Sequence, residues 1–105
     1  MKDTITVGPI QFDTQRLEVS ANGKTARLTS GESRILRFLM EHANTVCTYH
    51  QISVHTWGFG YDVTHFMLKA HMRNLRQKVE PDPTNPTYIL TVANEGYTLQ
   101  EPMTQ

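Results

Sequence analysis

The chain has 105 residues, and its ten Lys and Arg balance ten Asp and Glu to a formal net charge of zero. That length supports one hydrophobic core, so residues 1–105 are read as a single domain, and 38% apolar with 19% charged residues exclude a disordered chain. No apolar run nears the ~18 residues of a transmembrane helix, the opening MKDTITVGPI lacks a signal-peptide core, and the lone Cys47 excludes an internal disulfide, so the chain is read as cytoplasmic with no membrane partner.

Residues from about 5 to 28 read as an antiparallel meander of three or four strands. Ile5-Thr6-Val7 alternates until Gly8-Pro9, and Ile10-Gln11-Phe12 resumes the alternation. A turn around Asp13-Thr14-Gln15 leads to Leu17-Glu18-Val19. Asn22-Gly23 is the strongest hairpin signal, because both residues tolerate positive φ, and Lys24 to Leu28 returns as a strand.

Residues from about 29 to 80 carry helical periodicity. Thr29-Ser30-Gly31-Glu32 has the form of a capping box, followed by Ile35, Leu36, Leu39 and Met40 at helical spacing, with Phe38 widening the stripe. His42-Ala43-Asn44 ends this helix, and Val46-Cys47 is read as a short, isolated strand. Thr48-Tyr49-His50-Gln51 repeats the capping-box form ahead of a short second helix with Ile52, His55, Thr56 and Trp57. Gly58-Phe59-Gly60-Tyr61-Asp62 is a loop. A third helix from about Thr64 to about Val79 turns Leu68, Met72, Leu75 and Val79 to the core. Its opposite face carries Phe66, Ala70, Arg73, Asn74 and Gln77, with Lys69 and Arg76 on the flank.

Pro81, Pro83 and Pro86 end that helix and stiffen the linker. Residues 87–99 read as a hairpin: Tyr88-Ile89-Leu90-Thr91-Val92, a turn at Ala93-Asn94-Glu95-Gly96, and Tyr97-Thr98-Leu99 pairing back. The residues from Gln100 onward are expected to fray.

Charge is unevenly placed. Lys69, Arg73, Arg76 and Lys78 fall in one segment without an acid, with His71 among them. Such a segment is either a solvated helix face or a footprint for a polyanion. The five histidines, His42, His50, His55, His65 and His71, form no metal-binding pair one helical turn apart, and no nucleophile elbow or phosphate-cradling glycine loop is present. Neither an enzyme, a metal nor a cofactor is expected.

The order of these signals resembles the OmpR/PhoB-type winged-helix effector domain of two-component response regulators. Leu28-Thr29-Ser30-Gly31-Glu32 resembles the family's Leu-Thr-x-x-Glu, and Trp57-Gly58 its Trp-Gly. His71-Met72-Arg73-Asn74-Leu75-Arg76-Gln77-Lys78-Val79-Glu80 resembles the recognition-helix motif. Asp82-Pro83, Asn85-Pro86, Thr91-Val92 and Gly96-Tyr97-Thr98-Leu99 match the linker and wing. The resemblance covers about Val7 to Leu99.

What it implies is an α+β winged helix-turn-helix domain that binds double-stranded DNA, with the third helix in the major groove and the hairpin near the minor groove. The base-reading candidates are Lys69, Ala70, Arg73 and Asn74, whose side chains suit guanine, a thymine methyl or adenine. Thr48, Trp57, His71, Arg76 and Tyr97 are the phosphate candidates, and Asn94 is the wing candidate. The loop Gly58, Phe59, Gly60, Tyr61 and Asp62 resembles the family's RNA polymerase contact. A receiver domain in the full-length chain and dimerisation on DNA are further expectations of the resemblance. Each of these residues also has a plainer reading: the Trp57 ring and Tyr97 as core, His71 as a structural hydrogen-bonding residue, Arg73 and Arg76 as solvated.

The departures from the family pattern are specific. Phe66-Met67 stand where the family has Arg-Thr, Lys69 where an acid is common, Asn74 where an Arg is common, and Ala93 where the wing carries an Arg. These differences, with the zero net charge, keep open a second reading as a winged-helix protein-interaction module with weak or no DNA binding.

Overall fold

A computed structural model describes residues 3–58 and 65–101, and of residues 65 and 66 the backbone alone. Four strands open the chain: β1 (Thr4–Val7), β2 (Ile10–Asp13), β3 (Glu18–Ala21) and β4 (Lys24–Arg27). They pair antiparallel in chain order, as the expected meander requires. Asp13 Oδ1 accepts from the Gln15 and Arg16 N–H groups at 3.0 Å and so fixes the turn between β2 and β3. Asn22 and Gly23 take φ of 54° and 76°, the left-handed pair of a two-residue hairpin turn. Leu17 was expected in the strand but lies before it at φ 56°. Its carbonyl accepts from Leu28 N–H at 2.7 Å, and its side chain packs against the core.

Both capping boxes form. Thr29 Oγ1 accepts from the Glu32 N–H at 3.2 Å while Glu32 Oε1 accepts from the Thr29 N–H at 3.0 Å, starting α1 (Ser30–Glu41). Thr48 and Gln51 do the same at 3.1 and 2.9 Å, starting α2 (Tyr49–Trp57). The third helix, α3, spans His65–Val79, and Leu68, Met72, Leu75 and Val79 are all buried as the periodicity predicts. His55, counted with the second helix's pattern, is exposed with its ring 4.6 Å from Phe38.

The C-terminal hairpin joins β6 (Ile89–Val92) to β7 (Gly96–Leu99). The expected isolated strand at Val46-Cys47 is corrected: β5 (Cys47–Thr48) pairs with β7, in a sheet ordered β5-β7-β6. Glycine at 96 permits this, because a Cβ there would overlap the Cys47 carbonyl. Gln100 and Glu101 are also better fixed than expected. The Gln100 N–H donates to Tyr88 O at 2.8 Å, and the Glu101 N–H to Asn44 Oδ1 at 3.0 Å. One core cluster takes residues from the first sheet, all three helices and the hairpin.

Candidate functional site

The site is the outward face of α3, and its value depends on how firmly the helix is held. Three devices hold it. At its C-terminal end, Lys24 Nζ donates to the Gln77 and Glu80 carbonyls at 3.2 and 3.4 Å. Asn22 Nδ2 lies 3.5 Å from Val79 O, and Asn22 Oδ1 accepts from the Tyr88 hydroxyl at 3.0 Å. The β3–β4 turn therefore caps orphan carbonyls of a helix distant in sequence, with a cation at the negative end of its dipole.

Glu80 supplies the second device. It is fully buried, and its carboxylate accepts from the Thr87, Tyr88 and Ile89 N–H groups at 2.7–3.1 Å. This ties the end of α3 to the start of the hairpin, and three charge-assisted bonds offset the burial of the charge.

Lys78 is the third. Its ammonium lies 2.6 Å from Glu32 Oε1, and Glu32 is only 3% exposed. Burial raises the Glu32 carboxyl pKa, but the Lys78 hydrogen bond, the Thr29 N–H and the Lys78 charge together hold it below the ordinary carboxylate range. In sequence Lys78 belonged to an acid-free basic segment; in space it is paired with the acid that caps α1.

Arg76 is also partly engaged. Its Nε donates to Ile89 O at 3.0 Å and its Nη2 to Thr91 Oγ1 at 2.8 Å. Its Cζ stands 5.7 Å from the Tyr97 ring centroid. The guanidinium thus covers the outer edge of β6 and leaves only part of its donor set for a ligand. Tyr97 itself is 2% exposed, with the Tyr49 ring edge-on at 5.8 Å. Burial pushes its phenol pKa up, Tyr49 adds to that, and Arg76 opposes it. Tyr97 packs beneath Arg76, which leaves little of its surface for a ligand.

The four base-reading candidates are brought together. Lys69, Ala70, Arg73 and Asn74 are all exposed and line one shallow concave surface of about 450 Å³ with Gln77. Among the described residues, none of their side chains has a hydrogen-bond or ion-pair partner. His71 turns the other way. Its ring lies 5.5 Å from the Trp57 ring, and a Cβ on Gly31 would come within 3.3 Å of it. It wedges α3 between α1 and α2.

Thr48 has little left to offer an anion. Its Oγ1 and N–H are used by the capping box, and the Tyr49 N–H donates to Glu95 O at 3.1 Å. The His50 N–H is what remains of that turn. The same bond fixes the hairpin tip to α2. Asn94 is exposed there at φ 65°, between Ala93 and the acidic Glu95. Met67 is 47% exposed at the start of α3. Phe59, Gly60, Tyr61 and Asp62, and the Phe66 side chain, lie outside the described residues; Gly58 closes α2 at φ 97°.

Sequence reasoning missed Lys24, Asn22 and Glu80 as determinants of this site. The Asn-Gly signal located the turn but said nothing of what the turn would touch.

Two successive helices, a supporting first helix and a two-stranded hairpin beside the last helix define a winged-helix domain. The chain belongs to the family described as "Transcriptional regulatory protein, C terminal", whose profile matches residues 23–99. It is 38% identical over 93 residues to the sensory transduction protein RegX3 of Mycobacterium tuberculosis, covering 89% of this chain and 41% of that protein. The chain thus spans about two fifths of the curated relatives it matches. Among solved structures, it superposes on the Klebsiella pneumoniae RstA DNA-binding domain, determined in complex with the RstA box. The TM-score is 0.80 at 25% identity, covering 94% of this chain and 98% of that one. It also superposes on the response regulator DrrB of Thermotoga maritima, an OmpR/PhoB homolog, with TM-score 0.78 and 28% identity over 92% of this chain and 44% of that one. Among the described residues, no helix is long and apolar enough to cross a membrane.

Proposed function

We propose that the chain is the DNA-binding output domain of a response regulator, with α3 as the recognition helix. The observation that carries this is the row Lys69, Ala70, Arg73 and Asn74. It is exposed, unpartnered among the described residues, and set on a helix fixed at its far end by three separate contacts. A helix backbone held that rigidly loses little further entropy on binding, so only the side chains remain to be ordered. Family membership and the RstA complex support the same reading.

Lys69 and Arg73 supply the full charges of this face, and Arg76 the donors its two hydrogen bonds leave over. Trp57, His71 and Thr48 act mainly by setting the helix angles. Asn94 is the one polar wing side chain proposed to meet DNA. The wider role rests on the family resemblance: a receiver domain elsewhere in the full-length protein, dimerisation on DNA, contact with RNA polymerase through residues 58–62, and action in the cytoplasm. No catalytic step belongs to it.

Titration against mixed-sequence duplex DNA at low and moderate salt tests the core of this reading. Two to three free cations predict a log–log salt slope of about −2 to −3. Absence of binding at low salt would instead favour a protein-interaction module.

A further inference from the structure

Resting on that DNA-binding reading, we propose that Gln77 is a further specificity-determining residue, reading adenine about two base pairs beyond the base that faces Arg73. In the second half of α3, three polar residues follow one another: Arg76, Gln77 and Lys78. Arg76 donates to Ile89 O and Thr91 Oγ1, and Lys78 pairs with Glu32. Gln77 alone of the three projects outward, with no side-chain partner among the described residues. It lines the same concave surface as Lys69, Ala70, Arg73 and Asn74. It also forms the rim of a second hollow of about 200 Å³ with Arg73, Arg76, Pro83 and Thr84.

The helix geometry sets what Gln77 can reach. Lys69, Arg73 and Gln77 form one row at four-residue steps. Two such steps rise about 12 Å along the axis, equal to three or four base-pair steps of about 3.4 Å. Arg73 sits midway, which places Gln77 about two pairs further on. The backbone there is fixed, since the Gln77 carbonyl accepts from Lys24 Nζ at 3.2 Å. A primary amide presents a donor and an acceptor side by side, the complement of the adenine N7 and N6 edge in the major groove. It carries no charge, so its contribution is to base choice, not to counterion release.

The test is selection of binding sites from a randomised duplex pool, with the wild-type chain, Gln77→Ala and Gln77→Glu. Gln77→Ala is expected to erase an adenine preference of roughly tenfold at one position, with the salt slope and melting temperature unchanged. Gln77→Glu is expected to move that position toward cytosine, whose N4 amine donates to a carboxylate. A wild-type consensus that both variants reproduce at every position overturns the inference while leaving DNA binding intact. A fall in salt slope by Gln77→Ala also overturns it, since that marks a backbone role. If the wild-type chain selects no duplex at all, the DNA-binding reading itself fails.

Discussion

The ammonium of Lys78, a residue of the third helix, sits 2.6 Å from the carboxylate of Glu32, which caps the first. One buried acid therefore starts one helix and fixes the tilt of another. Replacing Lys78 by Met leaves Glu32 buried without its cation, which costs about 2 kcal/mol, below the 3–5 of a fully buried pair because Lys78 is part exposed. Thermal denaturation should show the loss. Because Lys78 faces inward, the salt slope of DNA binding should not change; a drop of about one unit would place Lys78 on a phosphate.

The same pair gives a pH dependence. The folded-state pKa of Glu32 lies below its unfolded value, so its stabilisation is complete above the ordinary carboxylate range. It is lost as pH falls through the depressed folded value. Glu32→Gln should lower stability at neutral pH and flatten the acid limb of the stability curve. An unaltered acid limb in that variant would contradict the assignment.

Arg73 and Arg76, one helical turn apart, should behave differently. Arg73→Ala removes a solvent-facing side chain, so stability should hold within about 0.5 kcal/mol while DNA affinity falls roughly tenfold or more. Arg76→Lys keeps the charge but cannot bridge Ile89 O and Thr91 Oγ1 together. Hydrogen exchange along β6 should rise, and stability should fall by about 1 kcal/mol. Equal effects of the two variants on β6 exchange would refute the division of roles.

Glu80→Ala should be among the most damaging single changes. It strips the acceptor from three N–H groups, two of them on the buried Tyr88 and Ile89, at a cost of about 3 kcal/mol or more. Urea unfolding measures this directly. Glu80→Gln should recover part of the loss, because its amide oxygen still accepts.

Gly96→Ala should separate β5 from β7, since the added methyl overlaps the Cys47 carbonyl. A destabilisation above about 2 kcal/mol is expected. Cys47, 2% exposed in the native fold, should then react with a thiol reagent; protection equal to the wild type would show that the strand pair tolerates the methyl.

Much of this was legible in sequence because it is local. Asn22-Gly23, the two capping boxes and the Leu68–Val79 stripe are decided by residues within a turn or two of one another. The exposed row from Lys69 to Asn74 follows from the same helical period. What escaped depends on long-range contact. Nothing near Lys78 indicates Glu32, and nothing near Lys24 indicates the end of α3. Tyr97 kept two readings, phosphate contact and core, because its pairing with Cys47 and its place under Arg76 are both tertiary. Four cations in one segment therefore overstate the charge available, since two of them are turned to the protein.

The cap that Asn22 and Lys24 place on the recognition helix bears on how this module is cut and joined. The family match begins at Gly23, inside the turn that makes the cap and after three of the four strands that support it. A chimera spliced at that boundary would keep Lys24 but lose Asn22 and the three strands that seat the turn, so the last turn of the helix, where Gln77 sits, would be capped less firmly. The transplantable unit is the eye together with its socket, from the first strand onward.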